Sequence, residues 1–347
     1  MSFLTEKSES WAESGGLVSV NDISLGGLRL LFETAVKMRK LVKDKGGDRR
    51  LEGRVLATVF FEASTRTSSS FQAAICRLGG SFVHVDGGVG GTSSASKKGE
   101  SLSDTIRCME CYSDITVLRH PIQGSIASVL PSCTKPLVNA GDGVGEHPTQ
   151  ALLDLFTIVD ELSLPITPSI NNNNNNNNID DKKDPLVIVM LGDLKHGRTV
   201  HSLAKLIARV GPQICGREIH LRYCSPASLP MPEYVQTYVN QFAVVKQETF
   251  EDLTDAIQNA SVLYVTRLQK ERFDNTEDYE RLKGAYVVDQ QLLNNYANNE
   301  MIVMHPLPRV DEIHTNVDND PRAAYFRQME NGMYVRMAIL ALLLNKP

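Results

Sequence analysis

Short runs of apolar, often β-branched residues alternate along most of this chain with amphipathic stretches of helical length. A strand that is apolar throughout is typical of a parallel sheet, because helices cover both faces of such a sheet. The runs VLATVF at residues 55–60 and LVIVML at residues 186–191 are two clear examples. The alternation therefore constrains the chain to an α/β fold, in which ligands are expected beyond the carboxyl ends of the strands.

The same alternation occurs on both sides of an asparagine run at residues 171–178. We therefore expect two Rossmann-like domains, each a parallel sheet flanked by helices, with the active site between them at the strand carboxyl ends. The predicted strands are residues 55–60, 81–86, 115–118, 136–139, 186–191, 218–224, 262–266, 286–289 and 301–304. The predicted helices are residues 67–78, 148–162, 197–210 and 324–344. Gly211 and Pro212 are expected to end the third of these helices. The predicted domains are residues 18–158 with 318–347, and residues 159–317, after a disordered or linker-like start at 1–17 and with an Asn-rich loop insertion at about 164–184.

Charge and cysteine content limit the partners of the chain. Asp and Glu total 41 against 36 Lys and Arg, a net charge of -5, which argues against coating nucleic acid or an anionic membrane. No apolar run approaches the ~18 residues of a membrane span, and the polar start MSFLTEKSES lacks the apolar core of a secretory signal. Six scattered cysteines indicate no disulfide framework, and Cys108 and Cys111 are expected to be buried on one helix face. We expect a cytoplasmic protein without nucleic-acid or membrane partners.

A hydroxyl-rich turn, Ser64-Thr65-Arg66-Thr67, follows the first predicted strand and opens a helix. Free N–H groups and the positive end of a helix hold phosphate, and an arginine adds charge and fork geometry. Ser and Thr are also good N-caps, so a helix that is merely well capped is the alternative interpretation.

Basic residues follow later strands as well: Arg119, His147 before Pro148, Arg198 and Arg267. A neutral histidine at a helix start can donate a hydrogen bond to a polarised carbonyl, although a capping or core histidine is the commoner case. One surface arginine usually indicates only solvation. The repetition at successive strand ends favours a cleft that binds two polyanionic molecules.

These motifs, in this order, resemble the carbamoyltransferase family. Residues 60–67 resemble the carbamoyl-phosphate signature of this family. Five further segments resemble its aspartate-specific branch: residues 145–154, 192–202, 267–272, 305–309 and 320–336. The resemblance extends from about residue 18 to residue 344, apart from the Asn-rich insertion. Residues 141–154 and 320–336 are also similar to the equivalent domain of eukaryotic multifunctional pyrimidine-synthesis polypeptides, so a free-standing enzyme and a domain of a longer chain both stay open.

The resemblance implies transfer of the carbamoyl group of carbamoyl phosphate to L-aspartate, in pyrimidine biosynthesis, without metal or organic cofactor. It implies that carbamoyl phosphate contacts Ser64, Thr65, Arg66, Thr67, Arg119, His147, Gln150, Pro306 and Leu307. It implies that aspartate contacts Lys98, Arg198, Arg267 and Gln269. The implied catalytic residues are His147, Arg119, Thr67, Arg66 and Lys98.

The resemblance also implies a homotrimer with shared active sites, in which Ser94 and Lys98 reach the site of the adjacent subunit. The segment around them, residues 93–101, combines small residues with a Lys pair, which is typical of a mobile loop or of an exposed turn. We further predict that Glu62 joins the domains on closure by pairing with Arg198 or Arg272.

Two alternatives remain at this point. An ornithine-type carbamoyltransferase shares the Ser-Thr-Arg-Thr turn, but its second substrate carries an ammonium group and usually meets a Cys where this chain has Pro306. Arg267 stands where a dicarboxylate substrate needs a cation. A non-catalytic ligand-binding relative is the other alternative, and an assay for carbamoyl-aspartate distinguishes it from an enzyme.

Overall fold

The computed structural model describes residues 15–88, 98–166, 184–268, 277 and 286–347. These residues form two compact units. The first holds the described residues up to Phe156 together with Glu330–Pro347, and the second holds those of Thr157–Met329. The chain re-enters the first unit at Glu330, later than the expected residue 318. Residues near 323 stay with the second sheet because the Ala324 N–H donates to the Val303 carbonyl at 2.8 Å.

The first unit contains a parallel five-stranded sheet in the order β1-β5-β4-β2-β3. Its strands are β1 Gly16–Leu17, β2 Val55–Phe60, β3 Ser81–Asp86, β4 Ile115–His120 and β5 Leu137–Asp142. The buried side chains of Ala57, Val59 and Leu118 pack there against Ile106 and Ile126. This burial explains why β2 is an almost continuous apolar run in the sequence.

The second unit contains another parallel five-stranded sheet, in the order β10-β9-β6-β7-β8. Its strands are β6 Leu186–Leu191, β7 Ile219–Cys224, β8 Val245–Phe250, β9 Val262–Val265 and β10 Ile302–Met304. Val189, Leu191, Leu263, Val265 and Val303 are buried in one apolar core.

Helices connect the strands in both units. In chain order they are α1 Leu25–Lys45, α2 Thr65–Arg77, α3 Leu102–Glu110, α4 Ser125–Val129, α5 Pro148–Glu161, α6 Arg198–Cys215, α7 Glu233–Val239, α8 Leu253–Ala256, α9 Gln290–Tyr296 and α10 Tyr325–Leu343. Among the helices of the described ranges, none is both long and apolar enough to cross a bilayer. The prediction of two parallel α/β sheets flanked by helices is confirmed.

The expected end of the helix at residue 210 is wrong. Helix α6 passes through Pro212 and ends at Cys215, where Gly216 adopts a φ of +66° and donates its N–H to the Pro212 carbonyl at 2.8 Å. A proline costs an interior helix one hydrogen bond. Here the extra turn buries Ile214 and Cys215, and the gain from that apolar burial favours continuing the helix.

Two other expectations about local structure are also wrong. Residues 286–289 make only an isolated bridge, between Val288 and Ile313, because Asp289 caps α9 by accepting from the Leu292 N–H at 2.8 Å. Residues 16–17, expected to be linker-like, form β1 beside β5.

The two cysteines of the C-x-x-C pair are exposed rather than buried. Helix α3 buries Thr105, Ile106 and Glu110, which places Cys108 on its opposite side, and Cys111 follows the helix end. The sequence pattern alone does not show which side of this helix meets the sheet.

Candidate functional site

The turn after β2 leaves the start of α2 open to a ligand. Ser64 occupies the N-cap position, yet its hydroxyl makes no capping hydrogen bond within the described chain. The first helical bond there is the one from Ser68 N to the Ser64 carbonyl, at 3.1 Å. The N–H groups of the first turn therefore point outward without a side-chain cap, which favours the anion-binding interpretation over the merely capped helix.

Charge at this helix start comes from Arg66. Partial burial of the guanidinium lowers its pKa, which means that the cation has lost part of its hydration before any anion arrives. Thr67, on the next position of α2, is buried. An anion at this turn would replace the hydration that Arg66 has lost.

The sheet register brings Arg119 beside the same turn. Arg119 is the parallel partner of Phe60, and its carbonyl accepts from the Phe61 N–H at 2.9 Å. Its guanidinium donates from Nη1 to the Ala140 carbonyl at 3.2 Å, and its Nη2 lies 3.1 Å from Glu62 Oε2. Within its own unit, Glu62 therefore pairs with Arg119. The prediction that Glu62 serves domain closure with Arg198 or Arg272 stays a prediction, and Arg272 lies outside the described residues.

His147 stands directly before α5, at the end of a loop that follows β5. Asp142 holds this loop by accepting from the N–H groups of Gly124 at 2.9 Å and Glu146 at 2.6 Å. The His147 side chain is buried, with Nδ1 3.4 Å from Thr149 Oγ1. The positive helix end beside it disfavours imidazolium. In its neutral form, an imidazole at this position is suited to donate a hydrogen bond to a carbonyl oxygen.

In the second unit, a loop after β6 leads to Arg198 at the start of α6. Asp193 is fully buried in this loop and accepts from His196 twice, from the backbone N–H at 3.0 Å and from ring Nδ1 at 3.1 Å. Gly192 has a φ of +112°, and a Cβ there would lie 2.4 Å from the Thr266 carbonyl oxygen. Only glycine allows the ends of β6 and β9 to approach this closely.

Arg267 follows β9 on the neighbouring strand end. The residue before it, Thr266, donates to the Leu191 carbonyl from its backbone N–H at 2.8 Å and from Oγ1 at 2.9 Å. Because Leu191 and Val265 are register partners, the strand ends that carry Arg198 and Arg267 are adjacent in the sheet.

The backbone after β10 is held by a buried His305–Glu312 pair. His305 Nε2 lies 2.8 Å from Glu312 Oε1, and the Leu307 N–H donates to His305 Nδ1 at 2.8 Å. A carboxylate can only accept, so Nε2 carries the proton and Nδ1 is the acceptor. Burial raises the pKa of Glu312, but the hydrogen bonds from the His305 ring and from backbone N–H groups outweigh it and hold the pKa below its usual value. The pair fixes Leu307, which has a φ of +52°.

Sequence reasoning missed this pair and also missed the Asp193–His196 contact. Both pairs lie beside residues that the motifs singled out, at spacings of seven and three residues. In both cases a histidine and a carboxylate follow a strand within a few residues of each other, and this spacing could have indicated the pair.

The structure thus gathers the predicted site residues into two sets. The set of the first unit lies at the adjacent ends of β2, β4 and β5 and comprises Glu62, Ser64, Thr65, Arg66, Thr67, Arg119, His147 and Gln150. The set of the second unit lies at the adjacent ends of β6, β9 and β10 and comprises Arg198, Arg267, Pro306 and Leu307. Lys98 is exposed in the first unit, whereas Ser94 and Gln269 lie outside the described residues. In the described part of the chain, no group of three His, Cys, Asp or Glu side chains could hold a metal ion.

The fold and these two sets define a two-unit α/β protein with basic and hydroxyl side chains at the carboxyl ends of its strands, where proteins of this class bind ligands. Residues 16–160 match the family described as "Aspartate/ornithine carbamoyltransferase, carbamoyl-P binding domain". Residues 184–343 match "Aspartate/ornithine carbamoyltransferase, Asp/Orn binding domain". The chain belongs to the aspartate/ornithine carbamoyltransferase family, which confirms the resemblance of its motifs.

Individual relatives are similar over almost the whole chain. "Multifunctional protein pyr1-3" of Dictyostelium discoideum is 47% identical over 94% of this chain, which spans 13% of that relative's length. "Aspartate carbamoyltransferase catalytic subunit" of Methanopyrus kandleri is 42% identical over 94% of this chain and 96% of its own length. Aspartate transcarbamoylase from Trypanosoma cruzi, solved with carbamoyl phosphate and aspartate, is 39% identical with a TM-score of 0.81, over 95% of this chain and 96% of that chain.

Proposed function

We propose that this chain transfers the carbamoyl group of carbamoyl phosphate to L-aspartate, giving N-carbamoyl-L-aspartate and phosphate. The observation that carries the proposal is the set of the first unit. An uncapped helix start, a cation beside it and a buried histidine at neighbouring strand ends fit a molecule with a phosphate and a carbonyl group. The similarity to a Methanopyrus kandleri aspartate carbamoyltransferase catalytic subunit over 96% of its length supports it.

Carbamoyl phosphate would bind to the first unit. Its phosphate would accept from Ser64 and from the N–H groups at the start of α2, with Arg66 as counter-charge. Arg119, His147 and Thr67 would direct donors at the carbonyl oxygen. That oxygen gains negative charge in the tetrahedral state, so fixed donors stabilise the transition state more than the bound substrate.

Aspartate would bind to the second unit, where Arg198 and Arg267 each match one carboxylate. Gln269 and the partner-derived Lys98 would assist them, and the backbone at Pro306 and Leu307 would receive the carbamoyl NH2. Two arginines on adjacent strands suit a dicarboxylate, whereas ornithine brings an ammonium group to its site. We therefore propose aspartate rather than ornithine as the acceptor.

The reaction needs no protein base. The uncharged amine of aspartate attacks the carbamoyl carbon, the new C–N bond forms, and the C–O bond to phosphate breaks. The amine proton can pass to the leaving phosphate, which becomes a better acceptor as the bond breaks. Fixing both carboxylates of aspartate and removing water from its amine lower the barrier.

A colorimetric assay for carbamoyl-aspartate tests the proposal on the purified chain, with ornithine in parallel as the competing acceptor. We expect product with aspartate and none above background with ornithine. Activity with ornithine alone would identify the other branch of the family. Absence of product with either, together with measurable carbamoyl phosphate binding, would support a non-catalytic relative.

We also propose a homotrimer in which Ser94 and Lys98 complete the site of the adjacent subunit. The resemblance of residues 93–101 to the family supports this. Light scattering should give three times the 38.4 kDa chain mass. Mixing Lys98→Ala and His147→Ala chains after separate purification should restore activity, since some sites would then hold both native residues. A monomer, or no recovery on mixing, would contradict the shared site.

We propose that the protein works in the cytoplasm, with or without further domains in the same polypeptide. All six cysteines are free in the structure, as is usual in a reducing compartment. Cell fractionation with an antibody against the chain tests the location.

A further inference from the structure

A buried carboxylate lies behind the proposed carbamoyl site. Asp154 is fully buried on α5, four positions after Gln150, and accepts from Gln150 Nε2 at 2.8 Å. The family resemblance implies that Gln150 contacts carbamoyl phosphate, but it gives Asp154 no role.

The hydrogen bond determines which face of the Gln150 amide meets a ligand. An ionised carboxylate only accepts, so Gln150 must turn its NH2 group toward Asp154. Its Oε1 then points the other way, and no group in the described part of the chain donates to it. Gln150 consequently offers an acceptor and no donor on that side.

A buried cation favours the ionised form of Asp154. Arg336 on α10 is buried, and its charge interacts with Asp154. Burial lowers the pKa of Arg336 to about 10, against the opposing effect of Asp154, so the guanidinium remains charged at neutral pH.

Arg336 is itself fixed by α2, the helix that begins at the phosphate turn. Its Nη1 donates to Ser70 Oγ at 2.8 Å, and its guanidinium lies 5.2 Å from the centre of the Phe71 ring. These two contacts hold the Arg336 guanidinium in place.

We propose that Asp154 is a positioning residue that makes the site specific for a carbamoyl over an acyl phosphate. By fixing Gln150 as an acceptor, Asp154 matches it to the NH2 group of carbamoyl phosphate. Acetyl phosphate has the same phosphate and carbonyl but a methyl group in place of NH2, and would leave Oε1 of Gln150 desolvated without a donor. The inference rests on the proposed function and on the contact between Gln150 and carbamoyl phosphate that the family resemblance implies.

The wild-type protein provides the first test. Titration calorimetry with carbamoyl phosphate and with acetyl phosphate should show roughly tenfold to hundredfold tighter binding of the former, the range for leaving one buried polar group unpaired. Equal affinities would overturn the inference. The formation of carbamoyl-aspartate is measured separately, so an active enzyme with equal affinities would refute the role of Asp154 while leaving the proposed function intact.

The second test uses Asp154→Asn. Arg336 should attract the oxygen of the new amide, so that the NH2 of this amide faces Gln150. The Gln150 amide should then flip and turn its own NH2 toward the carbamoyl NH2, which places two donors face to face. We expect carbamoyl phosphate affinity to fall roughly tenfold or more while acetyl phosphate affinity changes little. Equal weakening of both ligands would indicate a general disturbance and contradict the proposal.

Two further variants sharpen the result. Ser70→Ala removes a contact of Arg336 without touching the Gln150–Asp154 bond, and should leave the ratio of the two affinities near the wild-type value. Gln150→Ala should lose the discrimination on its own, and adding Asp154→Asn to it should change the ratio no further. An additional loss in the double variant would show that Asp154 acts by another route. If Asp154→Asn fails to fold, equal affinities in the wild type, or a Gln150→Ala ratio equal to that of the wild type, still overturn the proposal.

Discussion

The Glu62 carboxylate lies 3.1 Å from the Arg119 guanidinium, across the ends of two adjacent parallel strands. Glu62 is about 40% exposed, whereas the Arg119 side chain is 11% exposed. A pair that is this accessible on one side contributes little to folding. Its effect should instead be on the direction of the Arg119 guanidinium, which the proposed function directs at the carbonyl oxygen of carbamoyl phosphate.

We expect Glu62→Gln to lower kcat about tenfold and to raise the KM for aspartate, with less than about 1 kcal/mol lost in unfolding free energy. Steady-state kinetics and urea denaturation measure the two quantities. Glu52→Gln is the matched control, because its 3.5 Å pair with Arg49 is far more exposed, and it should change neither. Unchanged turnover and aspartate affinity in Glu62→Gln would refute both the positioning of Arg119 and the predicted role in closure.

His147→Ala should separate catalysis from binding. Because the imidazole is proposed to stabilise charge that appears only in the tetrahedral state, kcat should fall roughly 10²–10³-fold, and the carbamoyl phosphate Kd should change far less. Stopped-time assays and calorimetry give the two values. His314→Ala, at an exposed 3-10 turn, serves as the control. A loss of equal size in Kd and in kcat/KM would mean that His147 only binds the substrate.

The sequence was sufficient for the strands that the sheets bury. LVIVML is apolar throughout, and VLATVF is apolar apart from the buried Thr58, because both faces of these strands are covered. The motifs after them mark the strand ends. Strand β8 (VKQETF) was missed because it is an edge strand with several exposed positions, so its pattern resembles that of a loop. Helix α1 was missed although Ser24 caps it and Leu28, Leu31 and Phe32 form a buried stripe.

Sequence motifs indicated which residues belong to the site but not which side chains hold them in place. The Glu62–Arg119 pair depends on the register that sets Phe60 opposite Arg119, and a register is a property of the folded sheet. The bond between Gln150 and Asp154 spans one helical turn, but its importance depends on Arg336, which comes 182 positions after Asp154. Long-range partners of this kind cannot be deduced from local patterns.

Stability should depend on pH through a buried pair in the second unit. Asp320 accepts from Arg322 Nη2 at 2.8 Å, with 4% and 8% of the two side chains exposed. The pKa of Asp320 lies well below its usual range, chiefly because of the hydrogen bond from Arg322. A lowered pKa in the folded state means that the stabilisation is complete above the unfolded pKa of about 3.9 and is lost as the pH falls toward the folded value.

We therefore expect Asp320→Asn to lose about 3 kcal/mol of unfolding free energy at pH 7, since it leaves the Arg322 charge buried without its carboxylate. The difference from wild type should shrink steadily below about pH 4. Urea denaturation at pH 7 and pH 3 measures both effects. Glu218→Gln, which breaks a more exposed 2.9 Å pair with Lys246 in the same unit, should cost less than about 1 kcal/mol. A difference that stays constant with pH would contradict the assignment.

The close approach of β6 and β9 at Gly192 should couple backbone geometry to aspartate binding. Alanine there would combine a φ of +112° with a Cβ 2.4 Å from the Thr266 carbonyl oxygen, which costs about 2–4 kcal/mol for strain and overpacking together. Relief of the clash moves Thr266, and with it the next residue, Arg267. We expect Gly192→Ala to raise the KM for aspartate about tenfold or more, because a bidentate contact with a carboxylate tolerates little displacement. Carbamoyl phosphate affinity should stay nearly unchanged.

Gly216→Ala provides the matched control, since Gly216 has a φ of +66° but no atom within 4 Å of the position that a Cβ would take. It should lose about 1 kcal/mol of stability from strain alone and keep the wild-type KM. If both variants change aspartate affinity equally, the change comes from general loosening of the second unit, and the contact with Thr266 does not position Arg267.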